Sequence, residues 1–265
     1  MLRALKLIGA SGRSDSRQSS KLEEVAGFVA VILRCVRLYL AKKKHLEILE
    51  CSCGKGYLGF ALVQLLQERE GKTAALSGVD SNPALTDWCR SAARALGMEQ
   101  AEFVCSRTAS FQSSRLFDLV ISLHACDTAT DETIAKGVEL AAPLVLVVPC
   151  CQNQIRGQIK SGHPLTAMTD FGPIRYQLAN LLTDSLRAQF LYSAGYHVEI
   201  DEIGSPKLTP KNLCICAHKS KRARKGARDR NYKALKDFFG VKLKLEELCP
   251  GIVQKDDGQE EKSTS

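Results

Sequence analysis

Residues 46–59 read LEILECSCGKGYLG, and this stretch decides the fold. Its first five residues, 46–50, form a short and mostly apolar strand, and a glycine-rich loop and a helix follow directly. Gly54, Gly56 and Gly59 match the pattern Gly-x-Gly-x-x-Gly, in which glycines allow a tight turn and let a ligand approach the backbone closely. The stretch therefore predicts the first strand–loop–helix unit of a parallel α/β sheet, with a ligand at its glycine loop.

Outward from this stretch, short apolar runs alternate with segments of helical spacing. Such alternation predicts right-handed crossovers and a parallel sheet. We expect strands at 46–50, 74–79, 101–105, 117–124 and 143–149, and helices at 21–43, 57–70, 84–96 and 130–141.

The alternation of strands and helices ends after residue 194. After a predicted helix at 178–194, two strands follow in succession at 196–203 and 213–218. The loop between them, 204–212, is too short for a parallel crossover, so this pair is antiparallel. The predicted fold is an α/β, Rossmann-like sheet of seven strands, parallel with a C-terminal antiparallel hairpin, and with helices on both faces.

The chain of 265 residues divides into three parts. Residues 1–20 are predicted to be a flexible N-terminus, and residues 21–218 form the α/β domain together with an N-terminal helix. Residues 219–265 are a basic C-terminal extension, with a candidate helix at 229–240 and a disordered polar tail at 254–265.

Composition excludes several protein classes. Hydrophobic residues make up 45% and charged residues 25% of the chain, which argues against a disordered or fibrous protein. The longest apolar stretch is interrupted by Arg34 and Arg37, so we predict no membrane span. Eleven cysteines without a secretory signal indicate a reducing compartment, and we expect a cytoplasmic protein.

The net charge of +8 is unevenly distributed. Residues 1–45 carry a net +7 and residues 219–236 a net +8, whereas the body between them, 46–218, carries −4. Two basic flanks around an acidic body favour an anionic macromolecule as partner, and we predict RNA, bound by the N-terminal helix and by Lys219–Arg230. The alternative is a basic surface that only keeps the protein soluble.

Two acids flank the glycine loop, and the pattern is consistent with either of two ligands. Asp80 ends the second predicted strand, where an acid accepts hydrogen bonds from ribose hydroxyls in sites for nicotinamide dinucleotides and for S-adenosylmethionine alike. Glu50 ends the first strand. Its charge disfavours a pyrophosphate but suits the cationic end of S-adenosylmethionine, and the closing hairpin supports this second ligand.

Between residues 50 and 217 the chain resembles the class I S-adenosylmethionine-dependent methyltransferases. Within them it is similar to the methyltransferase-domain group that includes methyltransferase-like proteins and tRNA 2′-O-methyltransferases. The glycine loop is typical of the whole superfamily, whereas the segments around His124 and Cys150 are typical of a narrower group within it. The segments that carry the resemblance are 53–58, 78–83, 123–131, 148–152, 182–187 and 209–213.

The resemblance implies S-adenosylmethionine as the cofactor. It implies that Asp80 and Ser81 lie at the ribose and that Ser106, with Cys105, lies near the adenine. Ser52 stands where the family usually has its first glycine, so the backbone approach is tighter there. The residues implied to cradle the methionine part are Glu50, Ser52, Gly54 and Gly56.

Candidate catalytic residues follow the fourth and fifth strands, at the edge of the sheet where ligands bind. His124, Cys126 and Asp127 come after the fourth strand, and Cys150 begins the Cys150–Gln152 segment after the fifth. Methyl transfer to a hydroxyl or a protonated nitrogen needs a base, and His124 or Asp127 can take that proton. We therefore predict His124, Asp127, Cys126 and Cys150 as the catalytic group.

Each of these residues also has a simpler interpretation. His124 can bond a loop carbonyl, Asp127 can cap the next helix, and the thiols can be ordinary buried side chains. Ligand chemistry allows a zinc site of His124, Cys126, Cys150 and Cys151, but the spacing does not demand one and we predict no metal.

Two further pairs are ambiguous. Asp184 and Arg187 are either an ordinary surface pair or a structural pair at the rim of the site. Lys207 and Lys211 fall in the hairpin loop, at the rim, where they can meet substrate phosphates.

The leading hypothesis is an S-adenosylmethionine-dependent methyltransferase acting on RNA, either tRNA or rRNA. The absence of an Asn-Pro-Pro-Tyr or Asp-Pro-Pro-Tyr motif after the fourth strand slightly favours an acceptor other than an exocyclic amine. Alternatives are a protein methyltransferase, a catalytically silent domain that binds RNA or a partner, and a nicotinamide-dependent dehydrogenase.

Overall fold

The computed structural model describes residues 16–159, 164–203, 212–220 and 225–253. They fold into one sheet with helices on both faces. The strands are β1 (His45–Cys51), β2 (Thr73–Asp80), β3 (Ala101–Cys105), β4 (Leu119–Ala125), β5 (Leu144–Pro149), β6 (Tyr196–Glu202) and β7 (Leu213–Lys219). The helices are α1 (Ser16–Tyr39), α2 (Tyr57–Glu70), α3 (Pro83–Ala95), α4 (Thr128–Glu139), α5 (Asn153–Gln158), α6 (Thr166–Thr169), α7 (Gly172–Ser193), α8 (Lys225–Phe239) and α9 (Leu245–Leu248).

The sheet confirms the predicted fold class. Its strand order is β3-β2-β1-β4-β5-β7-β6. The first five strands run parallel, and β7 pairs antiparallel with both β5 and β6. Six strands therefore share one direction and β7 alone opposes them.

Most predicted elements are confirmed, with ends displaced by a few residues. The first helix, predicted at 21–43, runs from Ser16 to Tyr39, and β4, predicted at 117–124, runs from Leu119 to Ala125. Sequence analysis missed α5, α6 and α9. They have six, four and four residues, too few to show a helical period.

The sheet separates two hydrophobic cores, one on either face. In β1, Leu46 and Ile48 pack with α1, α2 and α3, whereas Leu49 and Cys51 pack with α4, α7 and α8. This alternation follows from the two-residue period of a strand. Glu50 points to the same face as Ile48, so its carboxylate is directed beneath α2.

The C-terminal segment from residue 225 packs on the second face. Tyr232 of α8 is fully buried and its ring lies 6.3 Å from that of Phe190 in α7, while Leu245 of α9 is also buried there. The predicted division at residue 218 stays a prediction, but the helix predicted at 229–240 is confirmed within α8. Among the described helices, none is both long and apolar enough to span a bilayer.

Several predictions fall on residues that lie outside the described ranges. These are the flexible N-terminus up to residue 15, Lys207 and Lys211, residues 221–224 of the basic segment, and the tail from residue 254. All eleven cysteines are described, and each is a free thiol.

Candidate functional site

A cavity of about 360 Å³ lies at the carboxyl ends of β1 and β4. These two strands are neighbours although the order of the sheet reverses between them, which is where open α/β sheets bind their ligands. The glycine loop contributes Ser52 and Gly54, β4 contributes His124, and α1 contributes Lys21 and Val25. Three separate elements thus line the cavity, and Ser52 and Gly54 are the predicted cofactor residues among its lining.

The glycine loop turns through three left-handed residues. Ser52, Gly54 and Gly56 have φ angles of 52°, 55° and 64°. A side chain added at Gly54 would meet nothing within 4 Å, whereas one at Gly56 would come within 3.0 Å of the Phe60 ring. Gly54 therefore leaves open space at the cavity, and Gly56 is required for the packing of α2.

Asp80 is fixed by the backbone on both sides of its carboxylate. Its Oδ2 accepts a hydrogen bond of 2.9 Å from the Gly54 N–H, and its Oδ1 accepts one of 2.9 Å from the Asn82 N–H. The Ser106 N–H donates to the Asp80 carbonyl at 3.0 Å, and Ser81 is exposed beside it. The predicted ribose and adenine residues are therefore together, at adjacent ends of β2 and β3.

Glu50 lies beneath the loop and not among the residues that line the cavity. Its side chain is buried, with the residue 3% exposed, and its Oε2 accepts a hydrogen bond of 3.1 Å from the Gly59 N–H. A side chain at Gly59 would come within 2.5 Å of that oxygen, so only glycine allows this contact. Burial raises the pKa of Glu50 to about 8, although the Gly59 bond opposes the shift.

This raised pKa predicts how stability depends on pH. The folded protein keeps the Glu50 proton up to about pH 8, while the unfolded chain releases it near pH 4.5. The unfolded state thus binds fewer protons in this interval, and the free energy of unfolding falls as pH rises through it, by about 3–5 kcal/mol. Thermal or denaturant unfolding of wild type and Glu50→Gln should show this fall in the wild type only. Parallel profiles for the two proteins would contradict it.

His124 reaches the cavity because β4 is irregular at its end. The register of β4 against β5 shifts between Leu123 and Ala125, and His124 in between has a φ of 60°. Such a bulge redirects a side chain, and here it places the imidazole at the cavity wall. The His124 Nε2 lies 3.3 Å from the Glu24 Oε2, on α1.

Sequence analysis missed the contribution of α1 to this wall. Lys21 and Val25 are four residues apart and share one face of the helix, and the Lys21 Nζ lies 3.4 Å from the Glu24 Oε2. The helical period predicted the element, but no local signal shows which strand ends it covers.

Asp127 has a structural contact in place of the predicted position at the cavity. It is the N-cap residue of α4, yet its carboxylate makes no bond to that helix. Its Oδ1 accepts a hydrogen bond of 3.1 Å from the Gln154 N–H, and its own N–H donates to the Cys151 carbonyl at 3.0 Å. Asp127 thus connects the loop after β4 to the loop after β5.

Three of the four residues in the considered zinc set come together. The sulfur atoms of Cys126, Cys150 and Cys151 all lie within 4.8 Å of one another, and His124 is not part of this group. Cys126 is exposed, and the other two are half-buried. Burial, followed by contact with neighbouring thiols, raises the pKa of Cys150 to about 12.

Arg187 lies at the centre of a buried polar network, so the interpretation of Asp184 and Arg187 as a surface pair is wrong. The Arg187 side chain is 1% exposed, and its Nε donates to Asp131 Oδ1 at 2.7 Å. Its Nη1 donates to the side-chain oxygens of Gln152 at 2.9 Å and Asp184 at 3.2 Å. Its Nη2 donates to the Asp127 carbonyl at 2.8 Å. One side chain therefore fixes both loops that carry the predicted catalytic residues.

Comparison with known proteins identifies the family. Residues 20–158 match the family described as "Methyltransferase domain". This match spans more than half of the chain, from α1 to α5. The chain therefore belongs to the methyltransferase domain family, while no curated protein matches it in sequence.

Solved structures share the fold at low sequence identity. Magnesium protoporphyrin IX methyltransferase from Synechocystis, crystallised with S-adenosylhomocysteine, is 16% identical with a TM-score of 0.51, covering 82% of this chain and 93% of that one. A TehB-like S-adenosylmethionine-dependent methyltransferase from Corynebacterium glutamicum is 15% identical with a TM-score of 0.40, covering 74% and 88%. At this identity the similarity to the Synechocystis enzyme shows the fold alone. The similarity to the Corynebacterium protein, with its lower TM-score, supports no conclusion.

Proposed function

We propose that this member of the methyltransferase domain family binds S-adenosylmethionine in the cavity at β1 and β4 and transfers its methyl group to RNA. The cavity, at about 360 Å³, is within the range of small-molecule sites, roughly 300–1,000 Å³. Gly54 leaves space for close approach, and Asp80 offers an oriented carboxylate at the end of the neighbouring strand. These residues fit the cofactor.

Each residue has a defined task in this proposal. Asp80 accepts hydrogen bonds from the ribose hydroxyls, Ser52 and Gly54 bound the methionine part, and Ser106 lies on the adenine side. The cofactor supplies an electrophilic methyl group on its sulfonium. Because methyl transfer is an in-line displacement, positioning supplies much of the catalysis. His124, at the cavity wall, takes the proton of the acceptor.

The distribution of charge carries the RNA part of the proposal. The two basic flanks carry a net +7 and +8 around an acidic body. Of the described lysines in these flanks, Lys42–Lys44 and Lys219 lie at the edge of the sheet opposite the cavity, since β1 begins and β7 ends there, whereas Lys21 lines the cavity itself. A strand of seven residues spans only about 23 Å, which a folded RNA can bridge while its target nucleotide reaches the cavity.

The segment after β5 supplies a surface suited to an unpaired base. Phe171 is 63% exposed just before α7, and the Arg156 guanidinium lies 5.7 Å from the centre of the Tyr176 ring. Arg175 adds a second cation one turn along α7. Exposed aromatic rings and guanidinium groups bind splayed RNA bases by stacking. This surface is defined by Arg156, Phe171, Arg175 and Tyr176.

The test is transfer of a tritiated methyl group from S-adenosylmethionine to fractionated RNA and protein. We expect label in the RNA fraction that ribonuclease removes, and binding to RNA that weakens steeply with salt. Label that survives ribonuclease and follows protein would instead identify a protein substrate.

A matched pair of variants tests the stacking surface. Phe171→Ala is expected to lower kcat/KM for RNA by roughly 5- to 150-fold, the equivalent of one lost stacking contact of about 1–3 kcal/mol. Cofactor affinity should not change. Leu116→Ala, which truncates an exposed apolar residue ahead of β4, is the control and should have no effect. Equal activity of both variants would contradict the role of this surface.

A further inference from the structure

Three thiols form a compact cluster where β4 and β5 end. Cys126 follows β4, and Cys150 and Cys151 follow β5. All three sulfur atoms lie within 4.8 Å of one another, and those of Cys150 and Cys151 are 3.7 Å apart. Within the described parts of the chain, this is the one group of three or more metal-ligating side chains at such distances. The proposed methyl transfer does not need it.

The distance between the Cys150 and Cys151 sulfur atoms matches that between two ligands of a tetrahedral metal ion. Zinc binds thiolate sulfur at about 2.3 Å, so two sulfur ligands of one tetrahedral zinc are about 3.8 Å apart. The Cys150–Cys151 separation of 3.7 Å is close to this value, and the Cys126 sulfur lies within 4.8 Å of both. Thiolates are soft ligands and select zinc and similar ions over magnesium or calcium.

The backbone on either side of the cluster is held in place. The Asp127 N–H donates to the Cys151 carbonyl at 3.0 Å, so the two loops that carry the thiols are bonded directly. Arg187 donates to the Asp127 carbonyl at 2.8 Å and to Gln152 Oε1 at 2.9 Å, next to the cysteines of each loop. Such support lowers the cost of arranging ligands around an ion. Cys126 is exposed, which gives an ion access from solvent.

We propose that Cys126, Cys150 and Cys151 together bind one zinc-class divalent ion through their three sulfur atoms. On binding, each thiol releases its proton to solvent. Three protein ligands leave the fourth tetrahedral position for water or another small ligand, the arrangement found where zinc takes part in chemistry. The site is independent of the proposed cofactor and substrate, so its test does not rely on methyl transfer.

The experiment uses the full chain, reduced and metal-free, titrated anaerobically with Co²⁺ as a spectroscopic probe. Cobalt bound by thiolates absorbs in the near ultraviolet, and Zn²⁺ added afterwards should abolish that absorption by displacement. We expect one Co²⁺ per chain in the wild type and loss of the absorption in Cys150→Ala. Cys105→Ala, which removes an exposed cysteine outside the cluster, should behave as the wild type.

A second variant distinguishes the loss of a metal ligand from the loss of the fold. Because Cys126 is exposed, Cys126→Ala should keep the circular dichroism spectrum of the wild type and still weaken Co²⁺ binding by at least about tenfold. Thiolate absorption that persists in both cluster variants, or a wild-type chain that gives none, would overturn the proposal.

Discussion

Arg187→Met is expected to lower the free energy of unfolding by about 3–5 kcal/mol. The substitution removes the guanidinium that contacts Asp131 and Asp184, and it removes the donor to the Gln152 side-chain oxygen and to the Asp127 carbonyl. Asp131 is 1% exposed, and a buried carboxylate without a partner is costly. Denaturant unfolding monitored by circular dichroism measures the effect.

The matched control is Arg37→Met, which breaks an exposed ion pair. Arg37 contacts Glu70 at 2.6 Å, but its side chain is 60% exposed, so the loss should stay within about 1 kcal/mol. Acid should partly restore Arg187→Met, because burial already raises the pKa of Asp131 and protonation then removes the unpaired charge. Similar losses in the two variants would show that the network is not a main source of stability.

Asp80→Ala is expected to weaken binding of S-adenosylhomocysteine by at least about 100-fold. Each hydrogen bond from a ribose hydroxyl to a carboxylate contributes about 1.5–3 kcal/mol, and two are lost. The substitution also deprives the Gly54 N–H of its acceptor and loosens the loop. Trp88 is the sole tryptophan, and its ring lies 5.9 Å from that of Tyr57 at the cavity, so its fluorescence reports binding.

Asp87→Ala is the control for this measurement. Asp87 lies on the exposed face of α3, where it pairs with Arg90 at 2.6 Å, and its removal should leave the affinity unchanged. Equal affinities of Asp80→Ala and the wild type would mean that the cofactor does not use the end of β2.

The fold could be predicted because its signals are local. The buried strands are continuous apolar runs between turn residues, and the short loop after β6 allows only an antiparallel return. The start of α2 at Tyr57 and the pairing of Gly54 with Asp80 follow from the glycine pattern, which fixes both the turn and the approach of the neighbouring strand. Side chains that follow neighbouring parallel strands lie at one edge of the sheet, as Cys126 and Cys150 do.

The details of the site depend on tertiary packing that one sequence does not reveal. Glu50 ends its strand next to the loop, but its carboxylate lies under α2. The absence of a side chain at Gly59 leaves room for it there, and the Gly59 N–H donates a hydrogen bond to it. Asp127 occupies a helix-capping position, yet its carboxylate finds a nearer donor in the Gln154 backbone. Arg187 has the spacing of a surface pair on α7, and only the packing of α7 against the loops after β4 and β5 buries it.

The most direct test of the central claim is calorimetric titration of the purified 265-residue chain with S-adenosylmethionine and S-adenosylhomocysteine, with and without added RNA. The account predicts binding of both at one site per chain, and loss of that site in Asp80→Ala. A folded protein that binds neither compound, whether or not RNA is present, would contradict the proposal that the cavity binds S-adenosylmethionine.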